Sequence, residues 1–335
     1  MRPYVANGER GKRGQSPFSA GKRALSPFPV GISFPEAHLD AESMAGLAEA
    51  GHTVLGFDNV MPLYSVWHES AALGCPVEWG TAERMPDCRS APYRLGDTIT
   101  IPRDLLARPE CAVPLEAIRL LKRRIGDEVA VMGKVFGPWT LGYHLFGVEE
   151  FLVHTILDPD AVKRAMAVLR DVTVRFGRAQ IDAGADALCL ADHATRDLCS
   201  PEAYRDFLFG THQWLRSELD VPLALHICGD TADRLDYIAE TGIECFHFDS
   251  KVSTEMAVRL AAGRIALMGG TSNLDVIRTG DEAAIERDVA EKLEHGVNVL
   301  GPECAVPLDA PHGNLKLFAD AARGRPHTSR HSRSE

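Results

Sequence analysis

Two side chains of types that bind zinc lie together at the end of an apolar run. His226 and Cys228 are two residues apart in the segment Leu225 to Asp230 (LHICGD). Alternate side chains of a β-strand share one face, so the imidazole and the thiol point the same way and form half of a zinc site. Taken alone, this pair is more typical of a buried histidine beside an inert buried cysteine.

A third ligand type, Cys304, favours the metal-binding interpretation. It lies in GPECAVP at 301–307, directly after a later apolar run. If both runs are strands of one barrel, their ends meet on the same rim, and three ligands converge. Three protein ligands with one open position are typical of catalytic zinc, whereas structural zinc more often uses paired CxxC knuckles, which this chain lacks. The remaining cysteines are interpreted as packing residues: Cys75, Cys88, Cys111, Cys189, Cys199 and Cys245.

Asp249 is a candidate fourth ligand. It ends the run CFHFD at 245–249, in which Cys245, His247 and Asp249 share one face. Its carboxylate could close the metal site until substrate displaces it. A carboxylate that caps the following helix explains the same position equally well.

Two further residues at predicted strand ends are candidates for contact with substrate. Asp192, followed by His193, comes directly after the run at 187–191 and could hydrogen-bond substrate or orient a zinc ligand. A helix cap at Asp192 is an equal alternative. Lys134, at the end of the run at 129–135, could pair with a sulfonate or carboxylate, although a surface lysine with its stem along apolar surface is the commoner case.

Eight short apolar runs, separated by segments with helical periodicity, would position these residues. Helical stretches are predicted at 41–51 and at 158–184, the second with a helix start at Asp158 and a stop at Gly184. Repeated strand–helix units indicate parallel strands, and eight of them predict a closed (β/α)8 TIM-type barrel. A doubly wound open sheet is the alternative, and residues 60–128 would be an insertion or an elaborate connection. The runs are PVGIS (29–33), VLGFD (54–58), VAVMGKV (129–135), ALCLA (187–191), LALHI (223–227), CFHFD (245–249), IALMG (265–269) and VNVLG (297–301).

The predicted barrel is a single domain, residues 28–322, between two polar tails. Residues 1–27 contain six basic residues and a single acidic residue, Glu9. A short repeat also lies here, GKRGQSPF at 11–18 and GKRALSPF at 21–28. They have too few apolar residues to form a core and are expected to be disordered, with an organellar transit peptide as the lesser alternative. Residues 323–335 are similarly polar and are expected to be disordered.

Composition narrows the class of protein. A net charge of −11 argues against a nucleic-acid partner, since a phosphate backbone requires a basic face. No run of eighteen apolar residues occurs, and the first thirty residues lack the apolar segment of a secretory signal, so no membrane partner is expected. Eight cysteines in 335 residues are too few for a disulfide scaffold, and a cytoplasmic location is expected.

Seven segments, spread from residue 33 to residue 318, carry a family resemblance: SFPEAHLDAESMAGLA (33–48), ESAALGCPVEWG (69–80), GPWT (137–140), ADHATRDLCSPEAY (191–204), LHICGDT (225–231), FDSKV (248–252) and GPECAVPLDAPHGNLKLF (301–318). They resemble the zinc-binding methylcobamide:coenzyme M methyltransferases, a branch of the uroporphyrinogen decarboxylase superfamily, and the similarity covers residues 30 to 322. Two features differ from those relatives. The basic repeat stands where family members usually open with a helix and a strand that bears an Arg-Val-Pro pattern, and the arginine-rich substrate motif of the decarboxylases is missing.

The resemblance implies a barrel enzyme in which His226, Cys228 and Cys304 hold Zn²⁺, with a metal contact at Asp249. It implies transfer of a methyl group from a methylcobamide, bound to a separate corrinoid protein, to a thiol such as coenzyme M. The first alternative is a metal-free decarboxylase of a porphyrinogen or a related carboxylate. The second is a non-catalytic protein that handles corrinoid or thiol and contains structural zinc.

Overall fold

A computed structural model of the chain describes residues 31–324. The predicted tail at 1–27 lies outside the described residues, as does the tail at 323–335 except for Arg323 and Gly324. The described part contains a six-stranded parallel sheet and a two-stranded antiparallel ribbon. The strands are β1 Asn59–Val60, β2 Val77–Glu78, β3 Asp87–Cys88, β4 Ala130–Phe136, β5 Ala187–Ala191, β6 Leu223–His226, β7 Cys245–Phe248 and β8 Ala266–Gly269.

The strands of the larger sheet follow one another in chain order, β1-β4-β5-β6-β7-β8. Every neighbouring pair is parallel. Beyond β8, the chain continues the sheet through isolated parallel bridges from Met268 to Val299 and from Thr271 to Pro302. A doubly wound sheet would reverse its strand order at a switch point, and this sheet does not. The predicted TIM-type barrel class is therefore confirmed.

Helices connect the strands. The predicted helices at 41–51 and 158–184 are confirmed, and the second begins where expected because the Asp158 side chain accepts the Ala161 N–H. The α-helices are α1 Phe34–Leu39, α2 Ala41–Thr53, α3 His68–Ala72, α4 Pro109–Ile125, α5 Pro138–Phe146, α6 Val148–Leu157, α7 Pro159–Asp182, α8 Pro201–Ala203, α9 Gly210–Glu218, α10 Leu235–Ala239, α11 Thr254–Ala261, α12 Glu282–His295 and α13 His312–Ala322. A 3-10 turn spans Leu105–Ala107, and π-helical turns span Tyr204–Phe209 and Asn273–Arg278.

Five of the eight predicted strands match β4 to β8, and three do not. Residues 31–33 of the first run are not a strand, and 29–30 lie outside the described residues. The strand predicted at 54–58 is wrong: Leu55 and Phe57 donate backbone hydrogen bonds to Ala50 and Gly51, so these apolar residues wrap the end of α2 and β1 begins only at Asn59. Residues 297–301 join the sheet only through isolated bridges.

The two faces of the sheet are buried to different degrees. In β7, Phe246 and Phe248 are fully buried, while Cys245 and His247 on the opposite face are only partly buried, and β8 repeats this alternation. One face packs against the helices, so the partly buried residues line the interior of the barrel. The interior is thus accessible near the strand ends that carry the candidate residues.

The connection between β1 and β4 is elaborate, as predicted for residues 60–128. It contains α3, the β2–β3 ribbon and α4. Among residues 31–324, no helix is both long enough and apolar enough to cross a membrane.

Candidate metal centre

His226, Cys228 and Cys304 come together at the carboxyl ends of the strands. Their ligand atoms all lie within 4.8 Å of one another. His226 Nε2 is 2.9 Å from Cys228 Sγ, which is 3.1 Å from Cys304 Sγ. All three side chains are partly buried, so the cluster can be reached from outside. In the part of the chain that the structure describes, this is the one group of three or more such residues close enough to hold a metal ion.

Local backbone geometry turns Cys228 towards His226. His226 is the last residue of β6, and three residues later the chain turns at Gly229, which has a φ of 86°. Side chains rarely adopt this left-handed conformation. A Cβ at position 229 would also collide with the Thr195 hydroxyl. Both the backbone conformation and the lack of space therefore require glycine at this position.

Cys304 is held by the residue that precedes it. The Glu303 carboxylate accepts hydrogen bonds from the Ser250 hydroxyl, just after β7, and from the Asn273 backbone N–H at 2.8 Å, just after β8. The Asn273 side chain donates to the Ala305 carbonyl at 2.9 Å. The loop that carries Cys304 is therefore tied to the ends of two other strands.

One proton lies between the two thiols in the hydrogen bond that joins Cys228 and Cys304. This hydrogen bond lowers the pKa of Cys304, against the opposing effect of burial. The same hydrogen bond, together with burial, raises the pKa of Cys228. Removing the shared proton would leave two thiolates 3.1 Å apart, and a bound dication relieves that repulsion. Two thiolates and one imidazole suit zinc, and they do not suit a hard cation that prefers oxygen.

A neighbouring histidine orients His226. His226 Nδ1 lies 3.3 Å from the His247 carbonyl, which leaves Nε2 facing Cys228. The two rings are 4.4 Å apart, and His247 Nε2 lies 2.7 Å from the Pro302 carbonyl. Burial lowers the pKa of His247 to about 3, so its ring is neutral and donates to Pro302. A histidine ligand whose second nitrogen faces a carbonyl is the usual arrangement in metal sites.

Asp249 lies next to the three candidate ligands, but its carboxylate oxygens are not among the atoms that converge within 4.8 Å. Its Oδ2 accepts the Gly229 N–H at 2.8 Å and its Oδ1 accepts the Lys251 N–H at 3.0 Å. Its negative charge still raises the pKa of Cys228. In this arrangement the carboxylate supports the turn that follows Cys228.

Asp192 and Lys134, the two predicted substrate residues, have different surroundings. Asp192 is fully buried: its Oδ1 accepts the backbone N–H and hydroxyl of Thr140 in the first turn of α5, and its Oδ2 lies 3.2 Å from His212 Nε2. Lys134 is also buried, at 9 % exposure, so its interpretation as a surface lysine is wrong. Its ammonium lies over the Phe136 ring, 5.2 Å from the centroid.

Sequence reasoning missed three residues near the site. Glu303 and Asn273 position Cys304, and His247 positions His226. The place of Glu303 directly before Cys304 was a usable signal, because a carboxylate beside a metal ligand commonly fixes it. His247 was visible as a polar residue on the interior face of a predicted strand.

The fold and the cluster of His226, Cys228 and Cys304 define a barrel protein with a candidate metal site at its carboxyl-terminal rim. Residues 28–325 match the model of the uroporphyrinogen decarboxylase (URO-D) family, and the chain belongs to that family. It is 31% identical over 295 residues to a methylcobamide:CoM methyltransferase of Methanosarcina barkeri, covering 87% of each chain.

A solved structure and a more distant relative complete the comparison. The structure of a methyltransferase from Methanosarcina mazei matches with a TM-score of 0.84 and 31% identity, covering 88% of each chain. A uroporphyrinogen decarboxylase of Gloeobacter violaceus is 24% identical over 281 residues, covering 79% of each chain. Within the family, this chain is thus more similar to these methyltransferases than to that decarboxylase.

Proposed function

We propose that this enzyme transfers a methyl group from a methylated corrinoid to a thiol such as coenzyme M, with Zn²⁺ held by His226, Cys228 and Cys304. The observation that carries the proposal is the convergence of these three ligand atoms within 4.8 Å at the rim of the barrel. The names of the methyltransferase relatives support the same reaction.

The chemistry requires a sulfur nucleophile. Only the thiolate form of a thiol attacks efficiently, and a free thiol is mostly protonated at neutral pH. Zinc bound at this site would lower the pKa of an incoming thiol and so supply the thiolate. The sulfur then forms a bond to the methyl carbon while the cobalt–carbon bond breaks, leaving a thioether and cob(I)amide. The proton of the thiol passes to solvent.

The protein's own residues keep that sulfur reactive. Cys228 and Cys304 as thiolates cancel the double charge of the metal, and His226 adds none. A third thiolate, from the substrate, therefore remains electron-rich. The His247 carbonyl keeps the His226 ring oriented, and the Pro302 carbonyl holds the ring of His247 itself. Glu303 holds the loop that carries Cys304 in place. Asp249 is the candidate for a fourth position that the incoming thiol takes over.

The proposed partners are a corrinoid protein as methyl donor and a small-molecule thiol as acceptor. All eight cysteines are free thiols in the structure. Free thiols persist in a reducing compartment, which favours the cytoplasm.

Methyl transfer from free methylcobalamin to a panel of thiols tests the proposal. Appearance of cob(I)alamin is followed by absorbance under anaerobic conditions, and zinc is measured on the same samples. Wild type should hold about one zinc per chain, and Cys228→Ala and Cys304→Ala should lose both zinc and transfer. Cys75→Ala, which removes a buried thiol away from the cluster, should retain both.

The same samples, assayed also for decarboxylation of a porphyrinogen, separate the alternatives. Decarboxylation of a porphyrinogen by zinc-free protein, with no transfer to any thiol, would favour the decarboxylase. Bound zinc without any transfer would favour a non-catalytic binding protein. Near neutral pH, each thiol bound should release one proton, counted by calorimetry in buffers of different ionisation enthalpy.

A further inference from the structure

Cys75 and Cys88 come together at the base of the β2–β3 ribbon. Cys88 is paired with Val77, and Cys75 precedes Val77 by two residues, which places the two cysteines diagonally across the ribbon. Diagonal neighbours in a regular ribbon are about 7–8 Å apart, and a disulfide needs Cα atoms within about 7 Å. The Val77 N–H donates back to the Cys75 carbonyl at 2.9 Å, so the backbone turns at Pro76 and shortens the span. The turn brings the pair within reach of a bond.

The two thiols contact each other, but their surroundings differ. Burial, and then the neighbouring Cys88 thiol, raise the pKa of Cys75 to about 12. Cys75 is buried, at 5 % exposure, and its Sγ donates to the His144 carbonyl at 3.5 Å. Cys88 is partly exposed, and its Sγ donates to the Ser90 carbonyl at 3.4 Å. An external reagent therefore reaches Cys88 first, while Cys75 is protected from direct reaction.

Cys88 faces a cavity that a small molecule can enter. The cavity has a volume of about 250 Å³, and Arg89, Tyr143 and His144 line it together with Cys88. The His144 carbonyl also accepts the hydrogen bond from Cys75, so Cys75 lies directly behind the wall of the cavity. A reagent that reacts with Cys88 from this side is thus held next to the second thiol.

The segment between the two cysteines carries Trp79, which packs near the candidate metal centre. The Trp79 ring lies 5.9 Å from that of His38 and 5.2 Å from that of His68. His68 is fully buried, and within residues 31–324 neither of its ring nitrogens has a hydrogen bond of normal geometry, so packing fixes the ring. Burial lowers the pKa of both histidines, and the nearby charge of Lys134 lowers it further. Lys134 in turn interacts with the two cysteines of the candidate metal centre. A displacement of Trp79 therefore disturbs the packing beside that centre.

We infer that Cys75 and Cys88 form a reversible disulfide by exchange with low-molecular-weight disulfides, and that this bond slows the enzyme by shifting Trp79. Cys88, as its thiolate, attacks one sulfur of the external disulfide and releases a thiolate, which takes up the proton that Cys88 gave to solvent. Cys75 then attacks the Cys88 sulfur of the mixed disulfide, and its proton passes to the second departing thiolate. Two protein thiols are thus oxidised while one external disulfide is reduced to two thiols.

The bond would report the redox state of the small thiols around the enzyme. Exchange makes the oxidised fraction depend on the ratio of thiol to disulfide. Disulfides that form in a reducing compartment are usually transient and redox-sensing. With a small thiol as acceptor, as proposed, the bond slows the enzyme when that thiol is oxidised. Formation of the bond itself does not depend on the proposed function.

Peptide mapping tests the bond. Zinc-loaded wild type is incubated with 2-hydroxyethyl disulfide, free thiols are alkylated, and the protein is digested with trypsin without reduction. Cys75 and Cys88 fall in separate tryptic peptides, residues 24–84 and 85–89, and neither peptide contains another cysteine. Wild type should yield the two peptides joined, two hydrogens lighter than their sum, and dithiothreitol should separate them.

Single substitutions distinguish the roles of the two thiols. Cys75→Ala should retain the external thiol on Cys88 as a mixed disulfide, whereas Cys88→Ser should leave Cys75 as a free thiol because it is buried. Cys111→Ala is the matched control, since Cys111 is also buried, and it should yield the joined peptides as wild type does. A mixed disulfide on Cys88 in wild type, with Cys75 still free, would overturn the bond.

The rate of methyl transfer tests the regulation. Loss of methylcobalamin is followed at fixed 2-mercaptoethanol and rising 2-hydroxyethyl disulfide, and the joined peptides are measured in the same samples. In wild type the rate should fall in proportion to the joined fraction. In Cys88→Ser it should stay level, and Trp79→Ala should form the bond without a response in rate.

Two results would overturn the regulation. One is an equal fall in wild type and Cys88→Ser, and the other is a bond that forms in wild type without slowing transfer. Absence of transfer to every thiol by fully reduced, zinc-loaded wild type would instead reject the proposed function, and the peptide result would still decide whether the bond forms.

Discussion

Glu303→Gln tests how Cys304 is held at the metal centre. The substitution keeps the size of the side chain but replaces one of two carboxylate oxygens with an amide NH₂. Those oxygens accept hydrogen bonds from Ser250 and from the Asn273 backbone N–H. The amide can still accept the Asn273 N–H and donate to the Ser250 hydroxyl, so what the substitution removes is the negative charge that strengthens both hydrogen bonds.

The expected size of the effect follows from the loss of that charge. A hydrogen bond to a charged group contributes about 1.5–3 kcal/mol and a neutral one about 0.5–1.5 kcal/mol, so two weakened hydrogen bonds together cost about 1.5–3 kcal/mol, or about 10–100-fold in an equilibrium constant. Glu303 is only partly buried, so water competes and the lower end applies. Zinc affinity should fall about 10-fold, in the range seen when the support of a metal ligand is disturbed.

Competition with a chromophoric chelator measures this directly. Wild type, Glu303→Gln and Glu149→Gln are titrated under the same conditions, and zinc transfer is followed by absorbance. Glu149 is exposed in the first turn of α6, so its variant should behave as wild type. Equal zinc affinity in Glu303→Gln and wild type would refute the view that this carboxylate positions Cys304.

Three further predictions concern the turn, the fourth position and a buried acid. Gly229→Ala should lower the free energy of unfolding, measured by urea denaturation, by about 1–3 kcal/mol, because φ at position 229 is 86° and the Thr195 side chain occupies the space that a Cβ would need. Gly210→Ala is the control, because a Cβ at position 210 meets open space and should not lower stability. Equal stability of the two variants would contradict backbone strain at Gly229. Asp249→Asn should keep its zinc if substrate displaces the carboxylate, whereas a loss of affinity of about 10–100-fold would mark a tight ligand. Glu69 has a folded pKa of about 7 against an ordinary value of 4.5, so the folded state holds its proton longer. Stability should therefore fall as pH rises from 4.5 to 7, by at most about 3 kcal/mol relative to Glu69→Gln, and parallel stability curves would contradict this.

The convergence of His226, Cys228 and Cys304 was predictable from sequence because strand geometry is local. The period of two in a strand directs His226 and Cys228 to one side, and the ends of parallel strands bring Cys304 to the same rim. The resemblance to the methyltransferases pointed to the same residues.

Other features depend on tertiary contacts that no local pattern contains. The run at 54–58 is as apolar as a strand, yet its residues close the end of α2, because short apolar runs fit both structures. The burial of Lys134 and the unmatched nitrogens of His68 arise where β4 meets the segment around α3, more than sixty residues apart in the chain. Asp249 could be assigned neither as ligand nor as cap from its position alone.

Zinc K-edge X-ray absorption, with and without acceptor thiol, tests the central claim most directly. Zinc-loaded protein should show two sulfur ligands at about 2.3 Å and one histidine nitrogen. Addition of the preferred thiol should raise the sulfur count from two to three, with loss of an oxygen or nitrogen ligand. A sulfur count that stays at two in the presence of saturating thiol would contradict activation of the acceptor at His226, Cys228 and Cys304.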